Sequence, residues 1–281
     1  MPDSHAPRAF VIGWPIAHSR SPMIHGYWLG HHGLLGSYER VAVAPEKVDA
    51  FLTGLDKSGF VGGNVTVPHK EAAFRLADLR DQVADKLQAV NTLWLEDGKL
   101  CATNTDAEGF IANLDASAPG WDRSAKSALV LGAGGAARAV IWSLAERGLE
   151  VRVVNRSRAR ADDLAATFKG VIAHDWSDGP KLLEATDVLV NTTPLGMDGK
   201  DDLDLDLAPL STDALVTDIV YAPLITPLLE RAQARGNRIV DGLGMLLHQA
   251  VPGFERWFGV RPEVTPELRA LIVADLTGPK S

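Results

Sequence analysis

Residues 128–137 read Ala128-Leu129-Val130-Leu131-Gly132-Ala133-Gly134-Gly135-Ala136-Ala137, and a helical run over 138–149 follows. The apolar residues predict a buried strand, and the glycines after it complete the pattern G-x-G-x-x-A between a strand and a helix. The first glycine makes the tight turn, the second lets the backbone approach a pyrophosphate, and the small third residue allows close packing of the helix. Free N–H groups at the helix start attract phosphates. A tight turn alone would also explain the glycines, but the complete strand, turn and helix favour dinucleotide binding.

The end of the next strand, at 151–154, indicates which dinucleotide is bound. A site for NAD usually ends this strand with Asp or Glu, which binds the ribose hydroxyls. This chain has Asn155-Arg156-Ser157-Arg158-Ala159-Arg160 instead. Arginines attract a 2′-phosphate through charge-assisted hydrogen bonds, so the cofactor is predicted to be NADP. Arg156 and Arg160 are four residues apart, and on a helix start we expect them to converge on one phosphate, with Arg158 on the other face. The alternative is a solvated, basic helix end.

Strands and helices alternate on both sides of this motif, which predicts βαβ units and largely parallel sheets. Before it, strands are predicted at 9–13, 38–43 and 61–67, helices at 23–29, 48–55 and 71–79, and a hairpin at 91–95 and 99–103. From it onwards, strands are predicted at 128–131, 151–154, 188–190, 215–218 and 238–241, with C-terminal helices at 244–258 and 266–276.

We expect an α/β fold with two domains and a cleft between them. A substrate domain with a mostly parallel sheet comprises residues 1–106 and 242–281. A Rossmann-type NADP-binding domain comprises residues 107–241. Because the chain crosses between the domains twice, the crossings can serve as a hinge that closes the domains over a substrate.

Composition excludes several classes of protein. The 281 residues are 46% hydrophobic and 23% charged, and 28 basic against 36 acidic residues give a net charge of −8. This balance argues against a nucleic-acid or anionic-membrane binder. The single cysteine, Cys101, rules out an internal disulfide and fits a reducing cytoplasm. We expect no signal peptide in residues 1–8, no membrane span and no metal site, and we interpret the acidic segment 198–206 as a solvated loop.

A second stretch, Gly63-Asn64-Val65-Thr66-Val67-Pro68-His69-Lys70, places a lysine where a predicted strand ends and a helix begins. A lone lysine is usually a solvated surface residue. The carboxyl end of a strand in an open α/β sheet is, however, a typical place for chemistry. Lys70 is therefore a candidate catalytic residue.

Further polar clusters lie at other predicted strand ends. Ser19 and Ser21 precede the first helix, where they can bind an anion or simply cap the helix. Asn91 and Asp106 place an amide and a carboxylate at the ends of the hairpin strands, and Asp106 can also cap a helix. A glycine-rich segment, 241–250, follows the last strand of the second domain.

These motifs, in this order, resemble the shikimate dehydrogenase family over nearly the whole chain. The shared motifs are GxPIxHSxSP at 13–22, GxNVTVPxK ending at Lys70, AVNT at 89–92, NTD at 104–106, GAGGAxRA at 132–139, NRS at 155–157, NTTPLGM at 191–197, DIVYxPxxTPLL at 218–229 and DGLGMLxxQA at 241–250. The resemblance implies NADP(H)-dependent reduction of 3-dehydroshikimate to shikimate in aromatic amino-acid biosynthesis. It also implies a small-molecule substrate. We expect a cytoplasmic location and a monomer or homodimer.

The resemblance assigns roles residue by residue. Lys70 and Asp106 match the family's catalytic pair. The residues that match substrate-binding groups are Ser19, Ser21, Asn64, Thr66, Lys70, Asn91, Asp106, Tyr221 and Gln249. The residues that match the cofactor-binding segments are Gly132, Ala133, Gly134, Gly135, Ala136, Asn155, Arg156, Ser157, Arg160, Thr192, Pro194, Ile219, Gly242 and Met245.

Two positions depart from the family pattern, and three alternative functions remain open. Gly26 stands where many relatives have Asn or Gln, and Ala107 stands where NTDG is usual. The closest alternative is a quinate/shikimate dehydrogenase of broader substrate or cofactor use, including NAD, against which Arg156 and Arg160 argue. An NADP-binding regulator without catalysis would be expected to lose Lys70 and Asp106. A folate-type dehydrogenase would not need the Ser19 and Ser21 pair.

Overall fold

A computed structural model describes residues 6–278 of the chain. Residues 1–5, which form most of the stretch 1–8 where no signal peptide is expected, and residues 279–281 lie outside the described residues. The described residues divide into two compact units, 6–105 with Gln249–Ala274 and Asp106–His248 with 275–278. The segment 242–248, assigned from sequence to the substrate domain, therefore groups with the second unit, because helix Leu243–His248 packs on helix Asp106–Ser117.

The first unit is built on a six-stranded mixed sheet. Its elements up to residue 105 are β1 (Arg8–Gly13), α1 (Ser21–His31), β2 (Ser37–Ala42), α2 (Val48–Thr53), β3 (Gly62–Val65), α3 (Lys70–Leu76), β4 (Leu79–Arg80), α4 (Gln82–Leu87), β5 (Thr92–Glu96) and β6 (Lys99–Thr103), with short 3₁₀ turns at Pro45–Lys47 and Leu55–Lys57.

The second unit is built on a six-stranded sheet whose pairings are all parallel. Its elements are α5 (Asp106–Ser117), β7 (Ser127–Leu131), α6 (Gly135–Glu146), β8 (Glu150–Asn155), α7 (Arg158–Thr167), β9 (Val171–Asp175), α8 (Gly179–Leu182), β10 (Val188–Asn191), β11 (Leu215–Asp218), α9 (Pro227–Ala234), β12 (Arg238–Val240) and α10 (Leu243–His248). The C-terminal helices are α11 (Ala250–Phe258) and α12 (Pro266–Thr277).

The sheet of the first unit has the order β2-β1-β3-β5-β6-β4. Strand β1 pairs in parallel with β2 and β3, whereas β5 is antiparallel to both of its neighbours. The predicted hairpin is confirmed, since β5 and β6 are joined by Asp97 and Gly98 with φ of 51° and 72°. Two consecutive positive φ angles are the requirement of a tight hairpin turn.

The sheet of the second unit has the order β12-β11-β10-β7-β8-β9. Counted from β7, this is the dinucleotide-binding order of a Rossmann fold, and the strand order reverses between β7 and β10. The predicted α/β class and Rossmann-type domain are therefore confirmed. Buried leucines and valines of the central strands form the core, among them Leu129, Leu189 and Val216.

Two local features differ from the predictions. Strand β9 was not predicted, because it lies at the sheet edge and alternates buried Val171 with exposed Ile172. The acidic segment is not simply a solvated loop, since Leu203 within it and Leu207 directly after it are 1% and 3% exposed and join the core. Within residues 6–278, none of the helices is both long and apolar enough to cross a bilayer.

Candidate active site

The carboxyl ends of β1 and β3 bring the predicted substrate-binding residues of the first unit to one sheet edge. These strands are parallel neighbours, so the segments that leave them start side by side. The loop after β1 carries Ser19 and leads into α1 at Ser21, and the segment after β3 carries Thr66 and leads into α3 at Lys70. Parallel pairing therefore places groups that are distant in sequence on the same edge.

Ser19 and Ser21 form a hydroxyl pair at the start of α1. Their Oγ atoms are 3.3 Å apart, and the backbone N–H of Ser21 donates to Ser19 Oγ at 3.4 Å. Arg40 Nε donates to the carbonyl of Ser19 at 2.8 Å and so holds the loop against β2. Neither serine caps α1 with its side chain, since the N-cap residue is Arg20. The pair is thus a set of neighbouring hydroxyl donors suited to an anion.

Three predicted substrate-binding residues share one buried hydrogen-bond network. Asn64 Nδ2 donates to the Asn91 carbonyl at 3.0 Å and to Thr92 Oγ1 at 3.1 Å. Thr105 donates its backbone N–H to Asn91 Oδ1 and its hydroxyl to the Gln249 carbonyl, both at 2.8 Å. Asn91 Nδ2 lies 3.4 Å from Gln249 Oε1, which accepts from it. Because every member is at most 9% exposed, the network fixes the orientation of each amide.

Lys70 is the first residue of α3 and is half-buried. Its carbonyl accepts from the backbone N–H of Val90 at 3.2 Å. The preceding residue, His69, is buried, and its Nε2 lies 2.7 Å from the Val43 carbonyl. Half-buried Thr66 precedes this turn, and its N–H donates to the Ile12 carbonyl at 2.9 Å. The backbone that carries the Lys70 ammonium is therefore held from both neighbouring strands.

Asp106 is the first residue of α5 and belongs to the second unit. It is 7% exposed, and Ala107 after it is 3% exposed. A carboxylate in the first turn of a helix is favoured by the helix dipole. Asp106 lies inside the helix rather than at the N-cap position, and it directly follows Thr105 of the amide network.

The glycine turn after β7 has the geometry that a pyrophosphate site requires. Gly132 has φ of +105°, and a Cβ there would lie 2.7 Å from Thr192 Oγ1, so only glycine fits. Gly134, the N-cap of α6, and Gly135 are both exposed, and a Cβ on either would meet no protein atom within 4 Å. Glycine at these two positions is therefore explained by close approach of a ligand rather than by internal packing. Half-buried Ala133 and Ala136 complete the turn.

The basic segment after β8 divides into paired and unpaired arginines. Arg158 is held by Asp162 at 2.8 Å and Asp175 at 3.3 Å. Within residues 6–278, neither Arg156 nor Arg160 forms an ion pair, and both are exposed. Helix α7 begins at Arg158 after the extended Ser157, so Arg156 precedes the helix and the expected helical i, i+4 relation with Arg160 is wrong. Asn155 Nδ2 donates to the Ser157 carbonyl at 2.9 Å and shapes this turn.

The carboxyl ends of β10 and β11 carry the remaining cofactor candidates, Thr192, Pro194 and Ile219, and also Tyr221. Thr192 Oγ1 donates to the Leu131 carbonyl at 2.8 Å, which ties it to the glycine turn across the reversal of strand order. Pro194 is exposed, and Ile219 and Tyr221 are half-buried.

A buried carboxylate organises this edge of the second unit. Asp218 accepts from Asn191 Nδ2 at 3.0 Å, from the N–H of Val220 at 2.9 Å and from Thr226 Oγ1 at 2.8 Å. Burial raises the pKa of Asp218 to about 6, while these donors act in the opposite direction. The end of β10 and the loop at 219–226 are thus anchored on one side chain.

Gly242 and Met245 lie at the start of α10. Both are buried, and a Cβ on Gly242 would collide with the Ile219 carbonyl. Asn113 Nδ2 donates to the Asp241 carbonyl at 2.7 Å, so α5 fixes the segment that leads into Gly242. All predicted cofactor residues therefore lie in the second unit.

Sequence reasoning missed three polar residues that organise these clusters: Tyr38, Thr105 and Asp218. Tyr38 stands in an ordinary strand pattern, so nothing in the sequence signals its hydrogen bond to Asn64. Thr105 and Asp218 lie inside the motifs NTD and DIVY, and a polar residue closing a buried strand was the available signal.

Comparison with known proteins identifies the family. The sequence models that match are the shikimate dehydrogenase substrate binding domain over residues 11–93, shikimate / quinate 5-dehydrogenase over 116–195 and the shikimate 5′-dehydrogenase C-terminal domain over 242–271. A shikimate dehydrogenase (NADP(+)) from Chelativorans sp. (strain BNC1) is 58% identical over 275 residues, which cover 97% of this chain and 98% of the relative. The chain belongs to the shikimate dehydrogenase family.

Solved structures of the shikimate dehydrogenase family share the fold. The shikimate 5-dehydrogenase of Thermus thermophilus, in complex with NADP(H) and shikimate, has a TM-score of 0.86 at 36% identity, covering 96% of this chain and 99% of that one. A quinate dehydrogenase from Corynebacterium glutamicum, in complex with NAD, has a TM-score of 0.88 at 29% identity, covering 95% and 99%. Fold similarity alone thus does not separate shikimate from quinate, or NADP from NAD.

Proposed function

We propose that this chain catalyses the reversible, NADP(H)-dependent reduction of 3-dehydroshikimate to shikimate in aromatic amino-acid biosynthesis. The observation that carries the proposal is the buried amide network of Asn64, Asn91 and Gln249 beside the strand end that bears Lys70. Such a network presents fixed donors and acceptors, which suit a small ring with several hydroxyls. The relatives named above act as shikimate dehydrogenases, and one solved member holds NADP(H) and shikimate.

The proposed catalytic pair is Lys70 and Asp106. Reduction of the ketone places negative charge on its oxygen, and the Lys70 ammonium donates a proton to that oxygen. Asp106 keeps the lysine oriented and accepts from the neighbouring hydroxyl of the substrate. Solvent then returns a proton to Lys70, so that one proton and one hydride are consumed for each ketone reduced. General acid assistance of this kind is worth about 10²–10⁴ in rate.

Substrate recognition is assigned to groups of known polarity. The Ser19 and Ser21 hydroxyls donate to the carboxylate, for which their separation of 3.3 Å suits two oxygens. Asn64, Thr66, Asn91 and Gln249 bind the ring hydroxyls. Tyr221, half-buried after β11, is assigned to the substrate as well.

The second unit is proposed to bind the cofactor, and its residues fit NADP. When bound, NADPH supplies the hydride for the reduction. The turn from Gly132 to Ala136 takes the pyrophosphate at the start of α6, where a Cβ-free surface is exposed. Asn155, Ser157, Arg156 and Arg160 bind the 2′-phosphate. The groups assigned to the nicotinamide side are Thr192, Pro194, Ile219, Gly242 and Met245.

The experiment that tests this function compares four reactions of the purified chain: oxidation of shikimate and of quinate, each with NADP⁺ and with NAD⁺. We expect the highest kcat/KM for shikimate with NADP⁺. A higher value for quinate, or for NAD⁺, would favour the quinate dehydrogenase activity known in a structural neighbour. NADPH binding without turnover of either acid would favour a regulator.

We further propose that residues 1–106 with the C-terminal helices act as the substrate domain, that the chain works as a monomer or homodimer, and that it is cytoplasmic. Every group assigned above comes from one chain, so no second copy is needed to complete a set. The free, buried Cys101 suits a reducing compartment. Light scattering of the purified protein and fractionation of the source cells test the last two statements.

A further inference from the structure

Tyr38 is a buried tyrosine of β2 whose ring is held on both sides. It is 8% exposed and lies opposite Ala9 of β1. The His25 ring stacks on it with centroids 3.9 Å apart and planes 12° apart, and the Trp257 ring lies 5.8 Å away. Packing on this scale restricts the ring to one position, so its hydroxyl is a fixed group.

The hydroxyl of Tyr38 donates to Asn64 Oδ1 at 2.6 Å. That hydrogen bond sets the direction of the Asn64 amide, because it requires the oxygen rather than the nitrogen to face the tyrosine. The nitrogen then gives its two hydrogens to the Asn91 carbonyl and to Thr92 Oγ1, at 3.0 and 3.1 Å. Asn64 therefore offers a ligand only the second lone pair of Oδ1, which can accept a hydrogen bond from a hydroxyl.

Burial also fixes the protonation state of Tyr38. Burial raises the pKa of Tyr38 well above its ordinary value, so the phenol keeps its proton and remains a donor to Asn64. One buried hydroxyl therefore sets the orientation of a group assigned to a ring hydroxyl.

We propose that Tyr38 is a positioning residue for the substrate: it fixes Asn64 as a pure acceptor toward one ring hydroxyl. The inference rests on the proposed function, because it concerns the way that function's substrate is held. It predicts that loss of the phenol oxygen weakens substrate binding through Asn64, while NADP⁺ binding is unaffected.

A double-mutant cycle tests the proposal with Tyr38→Phe, Asn64→Ala and the double variant. We expect Tyr38→Phe to raise the KM for shikimate about 10-fold, the effect of a lost, oriented hydrogen bond. In the Asn64→Ala background, Tyr38→Phe should raise the KM for shikimate less than about twofold, because the amide that Tyr38 positions is gone. The matched control is Tyr27→Phe, whose hydroxyl contacts Thr265 instead, at 3.4 Å.

The cycle separates positioning from a merely structural role. A purely structural role would lower the melting temperature and kcat in both backgrounds and give additive changes in KM. That result would overturn the proposal, and so would an unchanged KM in Tyr38→Phe. The dissociation constant for shikimate, measured by tryptophan fluorescence, provides a second readout that does not depend on turnover. If the unmodified chain does not oxidise shikimate at all, the proposed function fails, and this inference fails with it.

Discussion

Thr105 donates its hydroxyl to the main-chain carbonyl of Gln249 at 2.8 Å, across 144 residues of sequence. Its backbone N–H holds Asn91 Oδ1 at the same distance. Thr105 therefore fixes two residues: Asn91, which directly precedes β5, and Gln249, which begins the C-terminal segment of the first unit. The position of Gln249 depends on this contact rather than on its neighbours in sequence.

Thr105→Val removes that hydroxyl and keeps the shape of the side chain. The Gln249 carbonyl is then left buried without this donor, so we expect the free energy of unfolding to fall by about 1–3 kcal/mol. The KM for shikimate should rise as well, because Gln249 and Asn91 lose their common support. Urea unfolding and steady-state kinetics measure the two effects. Thr167→Val, an exposed helix position, is the control, and equal effects in both variants would contradict the assignment.

Lys70→Ala tests the proton donor. Because the backbone at Lys70 is held by Val90 and His69, we expect the fold to persist while kcat falls by about 10²–10⁴. Circular dichroism measures whether the fold persists, and shikimate oxidation with NADP⁺ measures kcat. Lys86→Ala, on the exposed side of α4, should leave kcat unchanged. Normal turnover in Lys70→Ala would reject its catalytic role.

The Rossmann unit was predictable because its signals are local. A buried strand, a glycine turn and a helix follow one another within residues 128–149, and each depends on its own sequence. Strand β9 was not predictable in this way, since an edge strand buries only part of one face and its period is weak. The leucines at 203 and 207 were hidden by the aspartates between them, although their alternation is that of a half-buried extended segment.

The candidate site was predictable in composition but not in geometry. The motifs named Asn64, Asn91 and Gln249, yet the hydrogen bonds that orient them come from Tyr38 and Thr105. These contacts join residues that are 26 and 144 positions apart, and no local pattern encodes such pairs. Whether a polar residue is buried and partnered is decided by tertiary packing, which the sequence shows only through the fold.

Gly132→Ala and Gly134→Ala should differ in their effect on stability. At Gly132 the positive φ and the contact with Thr192 should make alanine destabilising by about 1–3 kcal/mol. At Gly134 the backbone is extended, with φ of −90° and ψ of −175°, and the space is open, so stability should change by less than about 1 kcal/mol.

The same pair of variants separates stability from cofactor binding. Gly134→Ala should raise the dissociation constant of NADPH, because its methyl group occupies the surface that a pyrophosphate approaches. Thermal unfolding and NADPH fluorescence titration measure the two quantities. Unchanged NADPH affinity in a stable Gly134→Ala variant would show that the pyrophosphate binds elsewhere.

Arg156→Ser and Arg160→Ser test the basis of cofactor choice. If each contacts the 2′-phosphate, each loss should raise the KM for NADP⁺ about 10- to 100-fold, the usual range for a hydrogen bond to a charged group. The KM for NAD⁺, which lacks that phosphate, should change little. Arg158→Ser is the matched control, because Asp162 and Asp175 already hold that guanidinium. Parallel losses for both cofactors would indicate a structural role for the segment.

The stability of the chain in acid depends on His25. His25 is fully buried among aromatic rings, and burial lowers its pKa to about 3. On acidification the unfolded chain therefore binds the proton first, so this contribution to stability is complete above pH 6.5 and decreases as the pH falls toward 3. At pH 5 the loss is about 2 kcal/mol. Asp218 acts in the opposite direction, since its raised pKa of about 6 lets the folded state bind a proton first.

Comparison of His25→Phe with the unmodified chain isolates the histidine, because Asp218 contributes equally to both. Between pH 7 and pH 5, the free energy of unfolding of His25→Phe should fall by about 2 kcal/mol less than that of the unmodified chain. Urea unfolding at each pH measures both values. Phenylalanine binds no proton, so His25→Phe removes any pH dependence that His25 causes. Equal acid sensitivity of the variant and the unmodified chain would therefore mean that another group titrates.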